Sequence, residues 1–240
     1  MDKVRGGPSI LLDSLIYYLD ASNVYSYVSG STSWNNISNY VKSGGTLLNG
    51  ISYSDNSKGS LVLDGINDYV RLPQITNSQT FGKYSFSIWF SPSITITSAN
   101  VTNYMLMEAQ NYDLNGVDNY LYFLGGTGGR AGFQTFNPLS VTYSTTNFWE
   151  ANKWYNITGT YDISTSRLSL YVNGKRESFT TIANCYFNTN TFYGLGAYTS
   201  NPPRVWFFPG KIASYSVYVK TLTDDEVLQN YLTFKKKFGL

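Results

Sequence analysis

The chain has 240 residues, 13% of them charged, with a formal net charge of +2, no histidine and a single cysteine. That composition excludes an intrachain disulfide and the usual imidazole base or metal ligand. It also lacks the broad basic stripe that nucleic acid requires, since Lys235-Lys236-Lys237 is a short run better suited to a helix C-terminus.

In chain order, Met1–Pro8 is polar and Gly-rich and reads as a flexible arm, which leaves residues 9–240 as one domain. Ile10–Asp20 reads as an apolar strand. Residues 21–58 are rich in Ser, Asn and Gly, with a strand-like piece at Gly45–Leu48. Ser60–Leu72 reads as a candidate strand pair, S-L-V-L-D and Y-V-R-L around a turn G-I-N-D. Tyr84–Phe90 alternates, with Tyr84, Phe86, Ile88 and Phe90 on one face, and Pro92 stops it. Met105-Leu106-Met107 looks like strand, N-Y-D-L-N-G-V-D-N like loop, Tyr120–Leu124 and Ala131–Phe136 like strands about a Gly-rich turn.

The clearest signal spans Trp154–Lys175. A strand rich in Tyr, Ile and Thr meets an alternating one, with Leu168, Leu170 and Val172 facing one way and Ser169 and Tyr171 the other. Asn173-Gly174 then predicts a type I′ hairpin into a further strand, because both residues tolerate positive φ. Tyr186–Tyr198 holds one or two strands, and Phe208–Val219 is the last. Thr223 and Glu226 form a capping box with Leu222 and Val227 at the staple positions, which predicts one short helix from Asp224 to about Phe234. Many short strands punctuated by turns, with no linker or repeat, predict an all-β antiparallel sandwich or jelly roll with one short C-terminal helix.

The chemistry is sparse. Cys185, in N-C-Y-F, reads as a small buried apolar group. The four glutamates, Glu108, Glu150, Glu177 and Glu226, do not cluster, so the two carboxylates about 5–5.5 Å apart that a retaining glycosidase needs cannot be assembled. The chain is therefore read as non-enzymatic. Sequons at Asn36, Asn100 and Asn156 read as chance in an Asn- and Ser-rich chain. Abundant Tyr, Ser and Asn suit an adaptable binding surface, and Tyr and Phe equally coat sheets. No apolar run approaches the ~20 residues of a membrane helix, and the N-terminus lacks the apolar stretch of a signal peptide.

Several segments carry a family likeness. S-L-V-L-D-G-I-N-D-Y-V-R-L-P, Y-S-F-S-I-W-F, W-Y-N-I-T-G-T-Y with L-S-L-Y-V-N-G-K, and F-P-G-K-I-A-S-Y-S-V-Y-V-K-T-L-T-D-D-E-V together resemble the laminin-G-like, concanavalin-A-like lectin/glucanase superfamily in order and spacing. The opening L-I-Y-Y-L-D-A-S-N and the ending F-K-K-K-F-G-L resemble a branch found in bacteriophage and large-virus structural proteins. The resemblance implies a concanavalin-A-like jelly roll and a virion decoration protein of capsid or tail. Such a protein is made in the host cytoplasm without a signal peptide, partnered by other virion proteins and its own copies, and adhesive to surface glycans. The alternatives are a free-standing carbohydrate-binding module or, with carboxylates not evident here, a glycoside hydrolase or lyase. Glycan candidates are Trp149, Tyr198 and Trp206 as aromatic platforms and Asp113, Asn115 and Asp118 as loop hydrogen-bonding groups. Several branches of the fold hold calcium. Asp64, Asn67 and Asp68 are the weak candidates here, with Ala213 standing where many relatives carry an acid.

Overall fold

The structure, a computed structural model, describes residues 9–40, 43–56, 58–74, 80–100, 102–110, 118–136, 138–188, 192–199 and 204–240. The expected arm at residues 1–8 lies outside them. The first strands are β1 (Leu15–Asp20), β2 (Ser33–Trp34), β3 (Gly45–Leu48), β4 (Ser52–Ser54), β5 (Ser60–Asp64) and β6 (Tyr69–Leu72). Next come β7 (Thr80–Phe81), β8 (Lys83–Pro92), β9 (Tyr104–Gln110), β10 (Asp118–Phe123), β11 (Ala131–Phe136) and β12 (Ser140–Tyr143). The last are β13 (Tyr155–Asp162), β14 (Arg167–Val172), β15 (Lys175–Thr181), β16 (Phe187–Asn188), β17 (Phe192–Leu195) and β18 (Pro209–Tyr218). The helix α1 (Asp224–Lys235) runs into a 3₁₀ turn, Lys236–Phe238.

Two antiparallel sheets form a sandwich. The first has the order β15-β14-β13-β8-β18-β5-β4, with β1 also on β18; the second has the order β12-β11-β10-β9-β17-β6-β3-β2. One edge of β18 pairs with β8, while its other edge is shared, with Pro209–Ile212 on β5 and Ser214–Tyr218 on β1. Ala213 sits at the register shift between those halves, fully buried beside Trp89.

The period-two pattern sorts side chains as predicted. Tyr84, Phe86, Ile88 and Phe90 of β8 join Leu168, Leu170 and Val172 of β14 in the main core. Leu121, Phe123 and Phe133 of the second sheet face them. Each such side chain taken out of water stabilises the fold by about 1.5–3 kcal/mol. Asn173 and Gly174 both have positive φ, 49° and 78°, as a type I′ turn demands. A Cβ on Gly174 would lie 2.9 Å from the Tyr231 ring, so this turn is also fitted to α1.

The helix covers the outer face of the first sheet. Its capping box is formed, Thr223 N–H donating to Glu226 Oε2 at 3.0 Å and Glu226 N–H to Thr223 Oγ1 at 3.3 Å. Leu222 and Val227 share one apolar cluster, so the staple is present too. Trp89, Trp154, Tyr231, Phe234 and Phe238 pack together beneath it. Phe238 lies 4.6 Å from Trp89 and 4.4 Å from Trp154, ring centre to ring centre.

Two local expectations are corrected. The first strand begins at Leu15, not Ile10, because Ser14 takes a positive φ of 60° and Leu15 N–H closes a turn onto Leu12. Leu11 instead donates its N–H to Asn230 of α1. The Ser60–Leu72 pair does form two strands, but β5 and β6 join different sheets, so the segment is a corner between layers. The strand β12, Ser140–Tyr143, has no counterpart among the expected strands. No helix among the described residues is long and apolar enough to cross a membrane.

Candidate functional site

The outer face of the second sheet carries a second layer of aromatics. Alternation along β10 sends Leu121 and Phe123 into the core and Tyr120 and Tyr122 outward, where they meet Met105 of β9. Across the ladders Tyr122 stands opposite Met105 on one side and Gly132 on the other, and Tyr120 stands between Glu108 and Gln134. Gly132 is required here, because a Cβ at that position would lie 2.9 Å from the Tyr122 ring. Tyr122 Oη donates to Gln134 Oε1 at 2.6 Å and Tyr120 Oη to Asp118 Oδ2 at 3.1 Å. Burial pushes both phenols up in pKa, with Asp118 adding to it at Tyr120 and Tyr143 at Tyr122. Both therefore stay protonated as hydrogen-bonding groups at neutral pH.

A short return of chain builds the wall. Tyr198 and Val205 exchange backbone hydrogen bonds at 2.9 and 3.2 Å, and Met105 N–H donates to the Trp206 carbonyl at 2.8 Å. Trp206 takes a φ of 61°, a conformation that costs a bulky residue about 1–3 kcal/mol and tends to persist at functional sites. Its ring centre is 5.1 Å from that of Tyr198, which is 6.0 Å from Tyr120. The result is a groove of about 340 Å³ between Tyr198 and Trp206 on one side and Gln134 and Phe136 on the other, with Tyr120, Tyr122 and Met105 as its floor. Apolar walls with a few placed polar groups are the usual make-up of a small-molecule site.

Of the residues expected to hold a glycan, Tyr198, Trp206 and Asp118 line this groove together. Trp149 does not. It is fully buried in the core against Phe123 and Tyr155, with its indole N–H donating to the Gly129 carbonyl at 2.8 Å. The aromatic-rich N-F-W-E that suggested a platform is held inward by backbone bonds between Trp149 and Ile96. Asp113 and Asn115 lie outside the described residues. Glu108 was weighed only as a catalytic acid and the floor tyrosines were not among the expected glycan residues, although the i, i+2 spacing of Tyr120 and Tyr122 in a strand already placed both on one face.

Other candidates have structural roles. Asp64 Oδ1 accepts the N–H groups of Ile66, Asn67 and Asp68, and Asp68 Oδ2 accepts that of Asp64. The Asn67 carbonyl accepts from Asn49. This reciprocal bonding is the corner between β5 and β6. It leaves one buried oxygen, Asp68 Oδ1, without a partner, where calcium takes six to eight oxygens. Burial raises the Asp68 pKa. These residues do not fit calcium, and no group of three or more His, Cys, Asp or Glu among the described residues is arranged for a metal. Glu177 accepts from the backbone of Thr145 and Thr146, Glu150 pairs with Lys153, and Glu226 serves the helix cap. Cys185 is buried, with its thiol pKa raised by that burial. Asn36 and Asn156 are buried as well, which removes two of the three sequons from solvent.

The family described as the Concanavalin A-like lectin/glucanases superfamily matches residues 64–228, about two-thirds of the chain. None of the curated proteins matches the chain's sequence. Among solved structures, the binding domain of botulinum neurotoxin DC in complex with SialylT is similar with a TM-score of 0.69 at 15% identity, covering 94% of this chain and 53% of that one. Domain 4 of AbnA, an extracellular arabinanase from Geobacillus stearothermophilus in complex with arabinotriose, gives 0.57 at 20% identity, covering 91% and 98%. A heptameric SAP-like pentraxin from Limulus polyphemus gives 0.55 at 10% identity, covering 70% and 79%. The chain thus spans about half the length of the toxin binding domain and nearly all of the arabinanase domain.

Proposed function

Because the chain belongs to the concanavalin A-like lectin/glucanases superfamily, we propose that it is a non-catalytic carbohydrate-binding module whose site is the aromatic groove on the second sheet. The observation that carries this reading is the run of rings Tyr120, Tyr198 and Trp206 beside the hydrogen-bonding groups of Asp118, Tyr122 and Gln134. A sugar has an apolar C–H face that packs on an aromatic ring and a rim of hydroxyls that needs fixed donors and acceptors, and this groove offers both. Glu108, the glutamate on this face, is 1% exposed and bonded to Thr199, which favours support of the wall over acid–base chemistry. The glycan complexes of the toxin and arabinanase domains support the reading at the level of fold. Binding of an oligosaccharide that Trp206→Ala abolishes without loss of fold supports it; glycan binding indifferent to Trp206 contradicts it.

The likeness of both chain ends to viral structural proteins supports placing this module on a virion surface, as an adhesive decoration of capsid or tail. Its partners there are other virion proteins and further copies of itself. A symmetric array suits a module whose groove gains strength by multivalency. Mass spectrometry and electron microscopy of the particle encoded beside this gene test that setting, and absence of the chain from the particle overturns it.

A further inference from the structure

We infer that the groove selects neutral glycans and rejects sialylated or sulfated ones, an inference that rests on the groove being the glycan site. The residues that line it are aromatic, aliphatic or amide, apart from one ionisable carboxylate, Asp118, at its half-exposed margin. A second carboxylate, Glu108, stands directly opposite Tyr120 across the β9–β10 ladder. Two acids therefore flank the same floor tyrosine.

None of the residues that line the groove is a lysine or arginine; Arg71, on the same outer face, stands beyond Gly194 in register with Glu108, and Arg130 and Arg204 are engaged elsewhere. Arg130 lies 5.0 Å over the Tyr143 ring with Nε donating to the Thr127 carbonyl, and Arg204 lies 5.0 Å over Tyr69. Recognition of a carboxylate or sulfate calls for a guanidinium, an ammonium or a cluster of backbone N–H groups aimed at the anion. Here an anionic substituent would instead meet the Asp118 carboxylate and the negative faces of the Tyr198 and Trp206 rings. Rejection by like charge is a recognised source of specificity. The hydroxyl rim of a neutral sugar meets acceptors at Asp118 and Gln134 and the Tyr120 and Tyr122 hydroxyls, whose chemistry complements it.

The test is an array of neutral oligosaccharides, arabinotriose and lactose included, each printed beside sialylated or sulfated counterparts such as 3′-sialyllactose, and probed with the full chain, Trp206→Ala and Asp118→Asn. We expect neutral ligands that bind in a Trp206-dependent way, with anionic counterparts weaker by roughly tenfold or more. That ratio should narrow in Asp118→Asn and at high salt, where screening weakens the repulsion. Anionic glycans that bind as well as or better than their neutral partners through Trp206 overturn this inference and leave the groove as the site. Binding that ignores Trp206, or no binding to any glycan, overturns the groove itself and the inference with it.

Discussion

Thr199 gives both its backbone N–H and its hydroxyl to a single oxygen of Glu108, at 2.6 and 2.9 Å. The bond ties the wall of the groove to its floor, since Thr199 follows Tyr198 directly and Glu108 faces Tyr120 across the ladder. Glu108→Ala leaves a Thr199 N–H without this acceptor, at a cost of about 1–3 kcal/mol. Glycan affinity should fall, and Glu108→Gln, which keeps an acceptor oxygen, should restore most of it. Calorimetric titration of both variants checks this, and an unchanged affinity in Glu108→Ala would show that the wall is held by other means.

Trp206 and Tyr198 stand partly exposed on the groove wall, so trimming them removes ligand contact without emptying the core. Each alanine variant should lose about 2 kcal/mol of glycan binding, the size expected of a central aromatic anchor. Their melting temperatures should stay close to that of the parent. Trp149→Ala should do the reverse, lowering stability by about 3–5 kcal/mol because its buried ring leaves a cavity. Paired thermal melts and affinity measurements separate the two classes.

Phe238 closes the opposite face of the sandwich, stacked on Trp89 and tilted against Trp154. Phe238→Ala should cost about 3 kcal/mol in chemical denaturation, as loss of a buried aromatic ring does. Glycan affinity measured on the folded variant should not move, because the groove lies on the other sheet. A coupled loss of affinity would mean that the two outer faces communicate.

Stability should fall in acid. Burial works to raise the pKa of Asp64, but the N–H groups of Ile66, Asn67 and Asp68 outweigh it and hold the carboxyl below its ordinary 3.8. Burial likewise opposes Glu226, and Lys220 and the Thr223 N–H outweigh it there, holding the carboxyl below 4.5. A folded-state pKa below the unfolded value gives stability that is present above the unfolded pKa and lost as pH falls through the folded one. Asp68 runs the other way: burial raises its pKa, so its contribution weakens as pH rises above 3.8. Melting temperature should therefore drop from pH 5 to pH 3, more shallowly in Asp64→Asn and more steeply in Asp68→Asn. Equal slopes in all three proteins would contradict these assignments.

The sandwich was legible because its signals are local and redundant. Alternation in β8 and β14, the Asn173-Gly174 turn and the Thr223–Glu226 box each say the same thing from neighbouring residues. The groove was half legible. Tyr198, Trp206 and Asp118 could be picked by residue type, but that they meet depends on β17 lying beside β9, a pairing between residues far apart in sequence. Trp149 failed for the same reason in reverse. An aromatic beside a charged residue in a loop looks like a platform, and only the long-range Ile96–Trp149 bridge turns the ring into the core. The β5–β6 corner misled in a smaller way, because a turn of Gly, Asn and Asp looks alike whether the chain returns to the same sheet or crosses to the other.

Trp206 is the partly exposed member of the five tryptophans; the other four are at most 9% exposed. An amide-correlation spectrum of the nitrogen-labelled protein resolves the five indole N–H signals, and titration with a neutral oligosaccharide that the array identifies puts the account to its most direct test. The account predicts a saturable shift of the Trp206 indole signal, with those of Trp34, Trp89, Trp149 and Trp154 nearly still. Binding that leaves Trp206 unmoved would place the ligand elsewhere on the sandwich and contradict the groove as its site.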